Sequence, residues 1–309
     1  MSITKIHSLE ELSKIKGSIS LAIGMFDGVH LGHQEVLQSC ISFASQSNAS
    51  PAVLTFWPHP SHLFRPEDPT KMLQSIEFKE RFLESLGIEY VIEIEFTKDF
   101  AAISADDFLP LIQKYLPSLN GIFVGENFRY GKKRSGTVDL LKEQGVALGI
   151  QVFGQPRKLY QGEPISSSRI RKELAKGNIV EVNAMLGRPY KTIGTVIRGK
   201  QLGRTIGFAT LNLSYNPESK PAFGVYSFSL SSLESNHSYR AVGNYGLRPT
   251  VENDVTPILE IHVLGDVCPF DYGDEVDVKW ETFIRPEMKF ESVELLKLQI
   301  QKDIEKIQK

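Results

Sequence analysis

Two cysteines are all that the 309 residues contain, and Cys40 and Cys268 lie too far apart in sequence to form a zinc-ligand spacing or a disulfide framework. A reducing cytosol fits that scarcity. The chain also lacks any apolar run approaching the roughly 20 residues needed to span a bilayer, and its opening MSITKIHSLEELSKIKG carries acidic residues without the apolar core of a signal peptide. A cytoplasmic protein with no membrane partner is expected. Excess charge is missing too: 35 Lys and Arg stand against 37 Asp and Glu, a formal net charge of −2. Composition therefore provides no general attraction for nucleic acid or an anionic surface, and any basic patch must be local. No internal repeat or low-complexity tract is evident, and nothing in the sequence sets an oligomeric state.

What is present is ordinary globular composition, 41% hydrophobic and 23% charged, over the length of about two domains. From Ile19 to Gln155 short β-type runs alternate with helix-type runs, the pattern of a parallel sheet covered by helices. ISLAIG (19–24), AVLTF (52–56), YVIEI (90–94), GIFVG (121–125) and IQVFG (150–154) are the strand candidates. Val36, Leu37, Cys40, Ile41 and Ala44 recur at helical spacing, as do Phe78, Phe82 and Leu86 before Gly87, and Phe108, Leu111, Ile112 and Tyr115. Ser104 and Asp107 suit a capping box for the last of these.

Beyond Gly187 the texture changes. KTIGTVIRG, FGVYSFSL, YRAVGNYG, PILEIHVLG and DEVDVKWETFI are strand-like segments separated by Gly, Pro and Asn turns, which predicts an all-β barrel or sandwich. The last stretch places Val293, Leu296, Ile300, Ile304 and Ile307 on one helical stripe. Its polar face mixes Glu and Asp with Lys, which favours packing on the barrel over lying on a membrane surface.

GMFDGVHLGH (24–33) follows the first strand and opens the first helix, where α/β proteins bind phosphates. His30 and His33 flank Gly32, so two imidazoles can face one ligand while the backbone comes close to phosphate oxygens. The same pair also reads as a helix cap with a packed ring, and Asp27 nearby leaves metal binding open. ISSSRIRKEL (165–174) puts three hydroxyls and two arginines at a helix start, suited to a polyphosphate leaving group or to a plain serine-capped surface helix. Arg129, Lys132, Lys133 and Arg134 make a local basic cluster able to steer phosphorylated ligands or simply to be solvated. His59 and His62 receive no catalytic role.

In the second half, GTVIRGKQ (194–201) nearly spells a P-loop, but Gln201 stands where Ser or Thr is required and no helix pattern follows. The glycine-rich turn GKQLGRTIG can still bring backbone N–H groups against phosphate. In PILEIHVLG, alternation sets Leu259, Ile261 and Val263 on one face and Glu260 and His262 on the other, either a polar site or a solvated strand face.

GMFDGVHLGH, TFWPHP (55–60), VGENFRYG (124–131) and ISSSRIRKEL, in that order, resemble the motifs of the adenylyltransferase domain of bacterial bifunctional riboflavin kinase/FAD synthetases. GTVIRGKQLGRTIGFATLN (194–212), GVY (224–226), NYGLRPT (244–250), LEIH (259–262) and FIRPEMKF (283–290) resemble those of its riboflavin kinase domain. The resemblance implies an α/β nucleotidylyltransferase domain with a Rossmann-like parallel sheet over 1–184, and an all-β Greek-key barrel with a terminal helix over 185–309. It implies phosphorylation of riboflavin to FMN and adenylylation of FMN to FAD, with ATP as co-substrate and Mg²⁺. The alternative is a monofunctional FMN adenylyltransferase whose barrel binds flavin without phosphorylating it.

Carried residue by residue, the resemblance puts Gly24, Phe26, Asp27, His30, Gly32, His33, Ser167 and Arg169 around ATP, with His30, His33 and Arg169 acting on the transferring group, and Pro58, Pro60, Asn127 and Arg129 around FMN. In the barrel it puts Gly194, Gly199, Lys200, Gly203, Gly207, Thr210 and Asn212 around a second ATP. Thr210 and Asn212 would hold the metal, Glu260 would act as general base, and Arg285 and Glu287 would contact riboflavin. Two departures are visible: Ala209 and Leu211 stand where the family has Pro and Ala, losing a stiffening proline, and VLGDVCPFDYG lacks the usual Leu-Asp pairing after the histidine.

Overall fold

The computed structural model describes residues 3–199, 207–233, 237–247, 257–265 and 268–308. Internal packing divides the chain into two compact units, Met1–Ser167 and Ser168–Lys309.

The first unit is built on six parallel strands, β1 (Thr4–Ile6), β2 (Ser18–Ile23), β3 (Ala49–Phe56), β4 (Tyr90–Ile94), β5 (Leu119–Gly125) and β6 (Gln151–Gln155), in the order β1-β4-β3-β2-β5-β6. Between them run α1 (Leu31–Gln46), α2 (Ser61–Phe64), α3 (Ile76–Leu86), α4 (Lys98–Ala102), α5 (Ala105–Tyr115) and α6 (Val138–Leu148). The strands are apolar nearly throughout because both faces are covered, and alternate residues feed two cores. Leu21, Leu54, Ile92 and Ile122 join Phe108, Leu109 and Ile112 of α5 and Leu141 of α6. Ala22, Val53, Val91 and Phe123 join Val36, Leu37 and Cys40 of α1 and Leu83 of α3. The fully buried anchor of α3 is thus Leu83, while Phe82 and Leu86 of the predicted stripe pack only partly. Burial pushes the Cys40 thiol up to about 12, leaving it a small hydrophobe rather than a nucleophile.

The expected cap on α5 is present: Asp107 N–H donates to Ser104 Oγ at 3.0 Å, and that hydroxyl donates to Asp107 Oδ2 at 2.6 Å. Sequence patterning missed the short β1 and the hairpin β7 (Leu159–Tyr160) and β8 (Glu163–Pro164), which are too short to show a period.

Helix α7 (Ser167–Ala175) begins on the last residue of the first unit, and α8 (Ile179–Leu186) follows it. Asn183 of α8 clips the barrel beside it, donating to the Trp280 carbonyl at 2.8 Å and accepting from Tyr190 N–H at 2.6 Å. The barrel comprises β9 (Tyr190–Ile197), β10 (Leu211–Ser214), β11 (Gly224–Ser232), β12 (Tyr239–Leu247), β13 (Pro257–Val263) and β14 (Glu275–Arg285), closed in the order β10-β13-β12-β11-β14-β9 with every pairing antiparallel. Closure removes both sheet edges. Its interior is filled by Trp280, Tyr190, Tyr226, Tyr245 and Phe228, all under 2% exposed. The terminal helix α9 (Val293–Gln308) lays Ile300, Ile304 and Ile307 on Val225 and Val242. Val293, predicted for the same stripe, is 49% exposed as the first residue of the helix, and Asp303 is buried beside the stripe instead.

Candidate active sites

Strand β2 lies at the centre of the parallel sheet, with β3 on one side and β5 on the other, so the chain leaves it at the point where strand order reverses. Crevices at the carboxyl ends of such strands are where open α/β sheets bind ligands. The loop after β2 turns sharply: Phe26, Gly28 and Val29 all take positive φ, at 49°, 75° and 37°. A β-branched residue in that region is strained, and it persists because its surroundings over-determine it. Val29 and Phe26 are buried, Thr55 Oγ1 donates to the Met25 carbonyl at 3.3 Å, and Asp27 Oδ1 accepts from Leu73 N–H at 2.9 Å. From the far end of the unit, Ser167 Oγ donates to the Asp27 carbonyl at 3.0 Å. The Lys79 ammonium, on the helix packed against this loop, is held below the ordinary lysine range by burial, with Glu93, Asp27 and Glu80 opposing the shift.

His30 is the N-cap of α1, its Nδ1 accepting from His33 N–H at 3.3 Å. That bond puts the ring proton on Nε2, a hydrogen-bond donor. The two imidazoles stack at 3.7 Å, and Phe26 meets His33 edge-on at 5.3 Å. Cap and paired rings are therefore one arrangement. Gly32 is needed beneath it, since a Cβ there would press on His30 Cε1 at 3.3 Å.

The carboxyl ends of β2, β3, β4 and β5 open onto one cavity of about 1080 Å³, lined by Gly24, Phe56, Phe96 and Asn127 among others. One wall is aromatic: Phe56, Phe96 and Phe100 lie 5.3 to 5.8 Å apart. Arg65, Lys98, Arg129, Lys132, Lys133 and Arg134 supply cations. Tyr130 stays a neutral phenol, pushed up to about 12 by burial and donating to Gln144 Oε1 at 3.0 Å. Flat aromatic surface beside anion-binding side chains suits a ring system that carries a phosphate.

In the barrel, register assembles a second site. Asn212 of β10 lies opposite Glu260 of β13, Glu260 opposite Asn244 of β12, Asn244 opposite Val225 of β11, and Val225 opposite Arg285 of β14. Directly opposed residues share a face, so these five form one row across the outside of the barrel. Arg285 joins it through a bulge, because Val225 pairs with Arg285 while Tyr226 pairs with Phe283. Asn244 Nδ2 donates to Glu287 Oε1 at 2.9 Å. Glu260, Asn244, Arg285 and Glu287 line a cavity of about 420 Å³ together with Thr210, Phe208 and α9 residues. His262 Nδ1 donates to the Ala209 carbonyl at 2.8 Å, with Phe208 edge-on to its ring. That bond ties the segment before β10 to β13.

Asn212 is 5% exposed, and its Oδ1 has no hydrogen-bond partner among the described residues. Gly199 packs directly on the Asn212 amide, where any Cβ would collide. A buried amide oxygen without a partner among the described residues, two positions along the chain from Thr210, fits a hard cation that takes neutral oxygens and completes its shell with water and phosphate. Among the described residues no three His, Cys, Asp or Glu side chains gather into a metal-holding group.

Family models match both halves: FAD synthetase over residues 12–169 and riboflavin kinase over 186–309. The chain belongs to the bifunctional riboflavin kinase/FMN adenylyltransferase family. It is similar to the bifunctional riboflavin kinase/FMN adenylyltransferase of Haemophilus influenzae, 34% identical over 97% of this chain and 96% of that one. The Escherichia coli protein of the same description is 35% identical over 96% of this chain and 94% of its own. Among solved structures, that of a macrolide-efflux protein from Streptococcus pneumoniae matches with TM-score 0.87 and 29% identity over 98% of each chain.

For this family member, the predicted residues fall as follows. Gly24, Pro60, Asn127 and Arg129 line the N-terminal cavity, and Pro58 is not among its lining residues. Phe26, Asp27, His30, Gly32 and His33 form the loop and helix start, with Ser167 bonded to it. Arg169 is half-buried on the first turn of α7. Thr210, Glu260, Arg285 and Glu287 line the barrel cavity. Gly207 takes a φ of +90°, and Gly194 lies in mid-β9 against Leu213. Lys200 and Gly203 lie outside the described residues. Sequence reasoning missed Phe56, Phe96 and Phe100, whose spacing follows no single period because a strand end, a loop and a short helix contribute them, and Asn244 and Asp303, which only register and helix packing bring in.

Proposed function

We propose a division of labour between the two sites that accounts for both activities of the family. This chain phosphorylates riboflavin to FMN and adenylylates FMN to FAD with ATP. Residues 1–184 carry the second step and 185–309 the first, a division supported by the two matched segments.

In the adenylyl step an oxygen of the FMN phosphate attacks the α-phosphorus of ATP in line, and the bond to the β-phosphate breaks with its electron pair leaving on pyrophosphate. No protein nucleophile is needed; positioning and stabilisation of the transferring group are. His30 donates from Nε2, His33 lies stacked against it, and the first-turn amides of α1 face phosphate across Gly32. Arg169 acts on the leaving pyrophosphate, Ser167 steadies the ATP loop through its bond to the Asp27 carbonyl, and Gly24, Phe26 and Asp27 set the loop's contour. Pro60, Asn127 and Arg129 contact FMN, whose ring lies on the aromatic wall and whose phosphate is drawn by the neighbouring cations, while Pro58 stands behind the lining and shapes the loop that carries Pro60.

In the kinase step Glu260 accepts the proton of the riboflavin 5′-hydroxyl as its oxygen attacks the γ-phosphorus and ADP leaves. Thr210 and Asn212 hold Mg²⁺, which when bound neutralises phosphate charge. Gly199, Lys200, Gly203 and Gly207 shape the phosphate-binding turn, and Arg285 and Glu287 contact the flavin. The observation that supports this reading is the in-register row from Asn212 through Glu260 to Arg285 on one face of the barrel, the three residues to which the proposal gives metal binding, proton acceptance and flavin contact.

No helix among the described residues is long and apolar enough to cross a membrane. A cytoplasmic enzyme acting on small molecules, without nucleic acid, completes the proposal. Chromatographic separation of riboflavin, FMN and FAD during incubation with riboflavin, ATP and Mg²⁺ tests it: FMN forms first and FAD follows. Conversion of supplied FMN to FAD with no consumption of riboflavin would leave the barrel a binding module and sink the kinase half.

A further inference from the structure

The residue that receives Arg285 on the outer face of the barrel belongs to the last helix. Asp303 is 1% exposed, and its Oδ2 accepts from Arg285 Nε at 2.9 Å and pairs with Nη2 at 2.8 Å. Its other oxygen accepts from Gln299 Nε2 at 2.9 Å, one helical turn earlier. Arg285 Nη1 donates to the Pro286 carbonyl at 3.1 Å, and the guanidinium lies 5.8 Å from the Phe290 ring centroid. A guanidinium carries five N–H donors in a rigid planar fork. Three are committed here, and side-on use of Nε and Nη2 with the Nη1 bond to Pro286 leaves one hydrogen on each of Nη1 and Nη2. Arg285 and Asp303 both line the cavity that holds Glu260. The ion pair carries no net charge, so the fork selects its ligand by the geometry of acceptors, which suits uncharged riboflavin.

We infer that Asp303 is a positioning residue of the kinase site, which by gripping Arg285 side-on presents the two remaining guanidinium hydrogens to acceptor atoms on the isoalloxazine edge. This rests on the reading that Arg285 binds riboflavin. It makes α9 part of the riboflavin site rather than a cover for the barrel, because the carboxylate that fixes the fork is delivered by that helix between two residues of its apolar stripe, Ile300 and Ile304.

A double-mutant cycle on the full-length enzyme tests it, with the riboflavin KM, ATP KM and kcat of phosphorylation measured for Arg285→Ala, Asp303→Ala and the double variant. Loss of a charge-assisted bond predicts a rise in riboflavin KM of about tenfold for each single variant, with ATP KM unchanged. The double variant should be no worse than Arg285→Ala alone. An unchanged riboflavin KM in Asp303→Ala, or an effect that adds in full to that of Arg285→Ala, overturns the positioning role while leaving Arg285 a flavin ligand. An unchanged riboflavin KM in Arg285→Ala removes the underlying assignment and this inference with it. Where loss of the buried carboxylate prevents folding, as thermal melting would reveal, Gln299→Ala removes only the bond to Oδ1; it should raise riboflavin KM about twofold, and no rise overturns the inference.

Discussion

In the N-terminal unit the residues proposed to meet nucleotide arrive as contiguous runs; in the barrel they arrive about one per strand. Every strand of a parallel sheet ends at the same edge and hands over to a loop, so GMFDGVHLGH can carry a strained turn, a cap and a stacked histidine pair within ten positions. An antiparallel barrel alternates strand direction, so a site on its outer face is assembled by register, from Asn212, Glu260, Asn244, Val225 and Arg285 across five strands. The first kind of site is vulnerable at its loop, the second at its lateral spacing.

Substitutions that sharpen this contrast begin with the two groups closest to the chemistry. Glu260→Gln keeps the shape of the row and removes the proton acceptor, so riboflavin phosphorylation should fall by roughly 10²–10⁴-fold while adenylylation of supplied FMN stays within about twofold. His33→Ala should do the reverse, slowing adenylylation by about 10²-fold with FMN production retained. Both are read as initial rates on separated flavins. A fall of less than about threefold in either case would leave that residue structural.

A smaller effect is expected from Gly199→Ala. Its Cβ would collide with the Asn212 amide, displacing the proposed metal ligand, and misplacement on the ångström scale can cost up to about 10²-fold. We expect about tenfold in phosphorylation, checked by raising Mg²⁺, which should recover part of the loss; wild-type phosphorylation rates in this variant would show that Gly199 does not govern the Asn212 position. Ser167→Ala removes one hydrogen bond to the Asp27 carbonyl, worth about 1 kcal/mol, and should weaken adenylylation about fivefold. Steady-state rates with FMN varied and ATP saturating, then the converse, locate that loss in KM for ATP.

The same contrast explains what was legible from sequence. The parallel sheet, the helix stripes and the histidine motif could be read because their signals are local, and the closed barrel was visible as strand after strand. Strand β10 is absent from the strand-like segments legible in the sequence, since four residues show too little alternation to mark a strand. Asp303 sits where an apolar stripe predicts a hydrophobe; only its pairing with Arg285 explains it. The bond from His262 to the Ala209 carbonyl could not be read from letters, because its partners lie 53 residues apart. The aromatic wall joins residues following β3 and β4 with one from α4, and no linear motif connects them.

Mixing two disabled enzymes tests most directly the claim that one chain holds two separable sites. Glu260→Gln and His33→Ala, each incubated alone with riboflavin, ATP and Mg²⁺, should give almost no FAD, the first stopping at riboflavin and the second at FMN. Combined in equal amounts they should form FAD from riboflavin, because FMN released by one is a substrate for the other. A mixture that accumulates FMN without FAD, while the Glu260→Gln enzyme alone still adenylylates supplied FMN at the wild-type rate, would contradict independent sites linked by free FMN.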